Sequence, residues 1–403
     1  MKNYNYVILD KLILFFTLIY IFQLGRLEKF GSISLIIYFI VICFYVFYNF
    51  FFNKNYYLNL TLSLWILISI IYIFFSFFEI LPGYRRVFYK DQIFRTSYFI
   101  FLSYPVIASS YIFFSKFENL THFKNESYIF FFLIIFLLSL NIIFPIYDDY
   151  WMPESQSYSF LEILKRSLFK GTSNIFIFFY FFLLLYLYQK KILSLIIFIL
   201  LGIFSQTTQL LLLSILLILI SIFNLNLFLK NLFIAIIILL FFLPFISFET
   251  NEFIKYFYNN DPNIYTRLSR IFYSLKALYS NLLFGLGYGA DSINDIYAVQ
   301  ELNTLWGQGK YTNAKLILIH NSIIYIFYST GLFGGILFLY YFFKNVFPKL
   351  NIEKSEQKFS LYLFSIIYIS LMTNTTLESP NYSISLFWII GFLVNLNEKK
   401  KIK

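Results

Sequence analysis

A chain of 403 residues that is 60% hydrophobic and only 13% charged, with a mean hydropathy of +0.73, excludes a soluble globular domain. Apolar runs of about 18 residues or more recur, each long enough to cross a hydrocarbon core of roughly 30 Å. The net charge of +11 comes with 2 His and 1 Cys, so neither an in-chain disulfide nor a thiolate metal site is available, and no metal, cofactor or nucleic acid is expected.

The composition reads as an all-α polytopic membrane protein, a single membrane domain over residues 1–403. Spans are expected at roughly 7–24, 31–52, 57–81, 96–115, 128–146, 173–189, 192–205, 207–223, 228–247, 317–343, 359–376 and 381–396. That makes about 12 transmembrane helices. The first is a span rather than a cleaved signal, because the GRLEKFGS that follows lacks a small-residue cleavage site. SQTTQ (Ser205–Gln209) is expected to be a tight turn between two short helices.

Orientation follows from the lysines of the short loops. The tail NEKKKIK and the segment holding Lys344, Lys349, Lys354 and Lys358 belong on the cytoplasmic side, and with twelve spans so does the N-terminus. Lys54, Lys116, Lys124, Lys190, Lys191 and Lys230 then fall inside, and so does His122, which is given no role. Every arginine falls outside: Arg26, Arg85, Arg86, Arg95, Arg166, Arg267 and Arg270. A guanidinium binds phosphate oxygens bidentately where an ammonium acts as a point charge, so this segregation points to an anionic ligand on the outer face.

The outer loops carry the chemistry. The stretch 82–95, PGYRRVFYKDQIFR, interleaves aromatics with Arg85, Arg86 and Arg95 and suits the membrane interface. The stretch 147–172 holds a helical segment with Arg166 and Lys170. The longest, 248–316 between spans 9 and 10, is expected to be periplasmic and to contain a helix that starts at Asp261-Pro262-Asn263, with its apolar pattern running from Ile264. Its apolar positions are Leu268, Ile271, Phe272, Leu275, Leu278 and Leu282. Arg267 and Arg270, three residues apart, are expected to share a face there, a spacing that suits a diphosphate. FGLGYGAD follows, whose Gly285, Gly287 and Gly289 permit a tight re-entrant turn. It is not a nucleotide loop, since the strand context and the Lys-Ser/Thr are absent. His320-Asn321 stands at the outer start of the next span, and an imidazole there suits proton abstraction from a hydroxyl.

These residues resemble the bacterial O-antigen ligase and O-antigen polymerase superfamily. His320-Asn321, nine residues, then Gly331-Leu332-Phe333-Gly334 is similar to the ligases' terminal motif. Arg267 followed eighteen residues on by Gly285, in Phe284-Gly285-Leu286-Gly287, is similar to the family's arginine, amphipathic helix and Gly-x-Gly. Arg166 to Asn174, KRSLFKGTSN, resembles a looser Arg-Gly-Asn element. Ile271 stands where the family has Trp, Asn281-Leu282 where it has Asn-Pro, and SQTTQ lacks its usual arginine.

The resemblance implies a GT-C-like, metal-independent inverting glycosyltransferase of the bacterial inner membrane, with both termini cytoplasmic and a periplasmic active site. It implies an undecaprenyl-diphosphate-linked glycan donor held by Arg267, Arg270, Arg166, Lys170, Arg85, Arg86 and Arg95 among membrane lipids, with His320 and Arg267 catalytic. The acceptor is lipid A–core of lipopolysaccharide for a ligase, favoured by the complete His-Asn to Gly-x-x-Gly spacing, or a lipid-linked glycan for a polymerase. A lipid-linked oligosaccharide flippase is the alternative of another class. It is disfavoured because mid-span charges are nearly absent and one outer loop is long.

Overall fold

Every regular element among the described residues is a helix. The computed structural model describes residues 4–27, 32–80, 90–117, 226–245, 262–290, 319, 321–349, 354–373, 377 and 380–399, with isolated positions between 132 and 222 and at 256. The helices are α1 (Tyr4–Leu27), α2 (Ser32–Asn53), α3 (Leu60–Phe77), α4 (Lys90–Ser115), α5 (Asn226–Phe241), α6 (Pro262–Tyr279), α7 (Ser322–Tyr341), α8 (Lys354–Thr373) and α9 (Pro380–Lys399). A 3₁₀ turn, Leu243–Phe245, follows α5, and a π turn, Phe342–Val346, extends α7. The described positions from 132 to 222 are helical as well. Spans expected at 173–189 and the turn at Ser205–Gln209 lie outside the described residues.

Among the described residues, four stretches are long and apolar enough to cross a membrane: Ile33–Asn53, Leu60–Phe77, Ser97–Ser115 and Ser322–Val346. Two shorter apolar helices, Leu227–Phe241 and Ser383–Glu398, accompany them. On α2 the exposed side chains Ile33, Ile37, Ile40, Phe44, Phe47 and Phe51 recur at helical spacing. Leu60, Leu64, Leu67, Ile71, Phe74 and Phe78 do the same along α3 and just past it. Continuous apolar stripes of this length turned outward are what a lipid-facing surface requires and water would not tolerate. The windows on α4 and α7 are instead 72% buried, which puts these two helices inside the bundle.

Local sequence sets the helix starts. Asn59 caps α3 by accepting from the amide of Leu62 at 3.0 Å. Pro262 and Pro380 open α6 and α9 where a missing N–H costs nothing. α4 begins at Lys90, so Arg95, expected in a loop, lies in the second turn of a helix. The α4–α9 pairing is close because Gly391 leaves room: a Cβ there would lie 2.4 Å from the Ile107 carbonyl oxygen. Ser110 reaches across the same seam to the Trp388 carbonyl at 2.5 Å. Small residues at such a crossing let two membrane helices touch along their backbones.

The two ends of the bundle differ in chemistry. Where α7 ends, Lys116 pairs with Asp10 at 2.6 Å, Asn55 donates to Ser115 at 2.8 Å, and Lys349 donates to the Asn397 carbonyl at 3.3 Å. Where α7 begins, Arg267 meets the last residue of α8, and Leu377 accepts from Tyr98 and donates to Ser322.

Candidate functional site

The helix expected here is α6, which opens at Pro262, two residues before its apolar pattern begins at Ile264. Its arginines part company. Arg267 is exposed, whereas Arg270, one turn on, is 8% exposed and lies among the buried Thr266, Ser269, Tyr273 and Ser274. Burial of α6 thus reaches well past its apolar positions, and the two guanidiniums do not share one open face. Arg267 Nη1 donates to the carbonyl of Thr373, the last residue of α8, at 3.2 Å.

α7 begins beside that same point. Asn321 is its N-cap, accepting from the Ile324 amide at 3.0 Å, and it is fully buried. Its Nδ2 points at the sulfur of Met372, 3.9 Å away. Arg267 and Asn321, 54 positions apart by their numbers (321 less 267), therefore converge on consecutive residues of α8. His320 itself lies outside the described residues, and its chain neighbours Ile319 and Asn321 are buried.

The second juxtaposition joins the two glycine motifs. Gly331 has φ +64° and ψ −162° inside α7, which interrupts the helix about 15 Å from its cap at 1.5 Å per residue. An interruption strands backbone groups that the i→i−4 ladder would have paired, and in a membrane they must find protein partners. The Gly-x-Gly loop supplies them. The Leu286 amide donates to the Tyr328 carbonyl at 2.6 Å and the Gly287 amide to the Ser329 carbonyl at 2.9 Å. The Leu332 amide donates back to the Leu282 carbonyl at 3.0 Å.

The loop that makes these bonds is packed into the bundle. All six residues 285–290 are buried. A Cβ on Gly289 would strike the side chain of Ile93 on α4 at 2.7 Å. The ring of Tyr288 lies 6.2 Å from Phe99 and 6.1 Å from Tyr325. In the middle of the stretch expected as a long periplasmic loop, the described residues are thus a docked helix and a buried turn. Gly334 and Gly335 complete the break by accommodating neighbours on their own helix: added Cβ atoms would meet Thr330 Oγ1 at 2.2 Å and the Phe327 ring at 2.3 Å.

Arg85, Arg86, Arg166 and Lys170 lie outside the described residues, and Arg95 is placed by its backbone in α4. Three further residues contribute: Asn281, noted from sequence only at the family's Asn-Pro position, and Met372 and Thr373, unmarked there. Asn281 closes the Gly-x-Gly turn on itself, its Nδ2 donating to the Gly285 carbonyl at 2.8 Å. Met372 and Thr373 receive the converging side chains. Asn281 had a signal, since an asparagine just ahead of a glycine turn favours such a local bond, whereas Met372 and Thr373 had none.

No protein-family model, no curated protein and no solved structure matches this chain.

Proposed function

We propose that this protein moves a glycan from undecaprenyl diphosphate to an acceptor hydroxyl on the outer face of a bacterial inner membrane, the acceptor being lipid A–core. The observation that carries the reading is that four separated motif elements meet in pairs. Leu282–Gly287 is bonded to Tyr328–Leu332, and Arg267 and Asn321 converge on Met372–Thr373. Elements that are similar to one family's motifs and also meet in space support one site better than scattered matches would.

In this reading the lysine-rich end of the bundle is cytoplasmic, and the end where α7 begins is periplasmic. The donor's diphosphate sits on Arg267 and neighbouring cations, whose bidentate donors stabilise the charge that develops as it leaves. His320 takes the proton from the acceptor hydroxyl. The acceptor oxygen forms its bond to the anomeric carbon as the carbon–oxygen bond to the diphosphate breaks, the electron pair leaving with the phosphate. One displacement inverts the anomeric centre.

The test is a pair of variants in the native host, His320→Ala and Arg267→Ala. The expected result is loss of glycan on lipid A–core with polymer accumulating on the lipid carrier, at normal protein level. Single repeats attached to core would assign a polymerase instead. Normal surface glycan in both variants would overturn the reading.

A further inference from the structure

We infer that the Gly-x-Gly loop and the Gly331 break form a backbone clasp, and that Gly285, Gly287 and Gly331 are positioning residues rather than ligand contacts. The role assigned rests on the glycan-transfer reading, while the clasp itself stands on geometry alone.

Glycine-rich turns near a phosphate site usually invite the idea that their amides cradle the anion. Here those amides are already engaged: Gly285 N on the Asn281 carbonyl at 2.7 Å, Leu286 N on Tyr328 and Gly287 N on Ser329. The loop is also buried from 285 to 290. It is therefore not an anion cradle, and its glycines answer a different need. Gly285 and Gly331 carry φ of +68° and +64°, and a Cβ on either would fall within 2.5 Å of the other's amide nitrogen. Only two residues without side chains let the strands touch in this way.

The consequence concerns α6 as a body. Its C-terminal continuation is tied to the middle of α7 by the clasp, and its N-terminal half is tied by Arg267 to the end of α8, where the cap of α7 also rests. Two attachments, one at each end, hold α6 against α7 and fix Arg267 relative to the start of α7. Positioning of this kind matters because a misplacement of about 1 Å can cost roughly a hundred-fold in rate.

The experiment uses the full-length protein in nanodiscs, with Cys43→Ser and spin labels at the exposed Lys276→Cys on α6 and Ile336→Cys on α7. Gly285→Ala and Gly331→Ala are compared with Gly391→Ala, which crowds a different seam, and with the milder Asn281→Ala, which removes only the bond that closes the turn. The clasp predicts a single narrow inter-label distance in the parent, broadened in Gly285→Ala, Gly331→Ala and Asn281→Ala and unchanged in Gly391→Ala. Glycan transfer should lose roughly a hundred-fold in kcat in the first two, with KM for the lipid donor within about two-fold. Unchanged distances overturn the clasp. Normal kcat, or a raised KM at normal kcat, overturns the positioning role. If the unmutated protein transfers no glycan, the functional reading fails, and the distances still decide the clasp.

Discussion

Gly285 and Gly331 stand backbone to backbone: a Cβ on Gly285 would lie 2.3 Å from the amide nitrogen of Gly331, and one on Gly331 would lie 2.5 Å from that of Gly285. Each substitution to alanine therefore strains a positive φ, at about 1–3 kcal/mol, and forces the same two strands apart. Because both changes damage one contact, their costs should not add. Once Gly331→Ala has opened the seam, Gly285→Ala has less left to lose. Thermal unfolding in detergent of the two single variants and the double variant measures this. The double variant is expected to fall short of the sum by more than about 0.5 kcal/mol, and additivity within that margin would show that the glycines act separately.

Arg267 gives a second expectation. One of its donors is held by the Thr373 carbonyl at 3.2 Å, which orients a planar fork of five N–H groups. Lysine keeps the charge and loses the fork, so it cannot hold that carbonyl and a phosphate in one fixed geometry. Arg267→Lys should therefore resemble Arg267→Ala more than the parent, with glycan transfer reduced roughly ten-fold or more for a loss of 1.4 kcal/mol or above. Transfer at the parent rate with lysine would show that charge alone suffices.

How much of this was legible in the sequence differs from element to element. The helices at 32–53, 60–77 and 322–341 follow from apolar runs, because lipid leaves a backbone no other way to satisfy itself. The start of α7 at Ser322 falls five residues later than the expected 317, because Asn321 caps the helix there. The depth of the Gly-x-Gly loop was not legible. Tyr288 is buried beside Phe99 of α4 and Tyr325 of α7, neighbours that no local pattern announces, and a stretch with glycines and polar neighbours reads as an outer loop. Arg270 was misjudged for a related reason. Spacing alone puts it beside Arg267 on one face, whereas the side chain is buried, as are Ser269, Tyr273 and Ser274, which the apolar positions do not mark as inward. The break at Gly331 was visible as a glycine but not as an interruption, since its partner lies 46 positions earlier by number (331 less 285).

Sidedness can be read with single cysteines. Lys276 on α6 and Lys344 on the π turn after α7 are side chains at different levels of the bundle, the second at its lysine-rich end. In a Cys43→Ser background, a membrane-impermeant maleimide added to cells with a permeabilised outer membrane should label Lys276→Cys. Lys344→Cys should react only after the inner membrane is opened. Reversed labelling would invert the orientation and move Arg267 to the cytoplasmic face.

The pair at the lysine-rich end makes the last expectation. Asp10 on α1 receives Lys116 Nζ at 2.6 and 2.8 Å and the Tyr45 hydroxyl at 2.6 Å, so one carboxylate ties α1, α2 and the end of α4. The side chains are 15% exposed for Asp10 and 29% for Lys116, which places the pair between a buried ion pair and a surface one. Truncating one partner of a fully buried pair costs about 3–5 kcal/mol, and an exposed pair contributes at most about 1 kcal/mol. Lys116→Met should therefore destabilise by about 1–2 kcal/mol, because Asp10 keeps its charge with the Tyr45 hydroxyl as its remaining partner among the described residues. Removing both charges, in Asp10→Leu with Lys116→Met, leaves no lone ion at the helix ends and should recover part of that loss. Thermal unfolding in detergent at low and high salt measures both arms. A double variant less stable than Lys116→Met alone would mean that Asp10 acts mainly through Tyr45, as a hydrogen-bond acceptor joining α1 to α2.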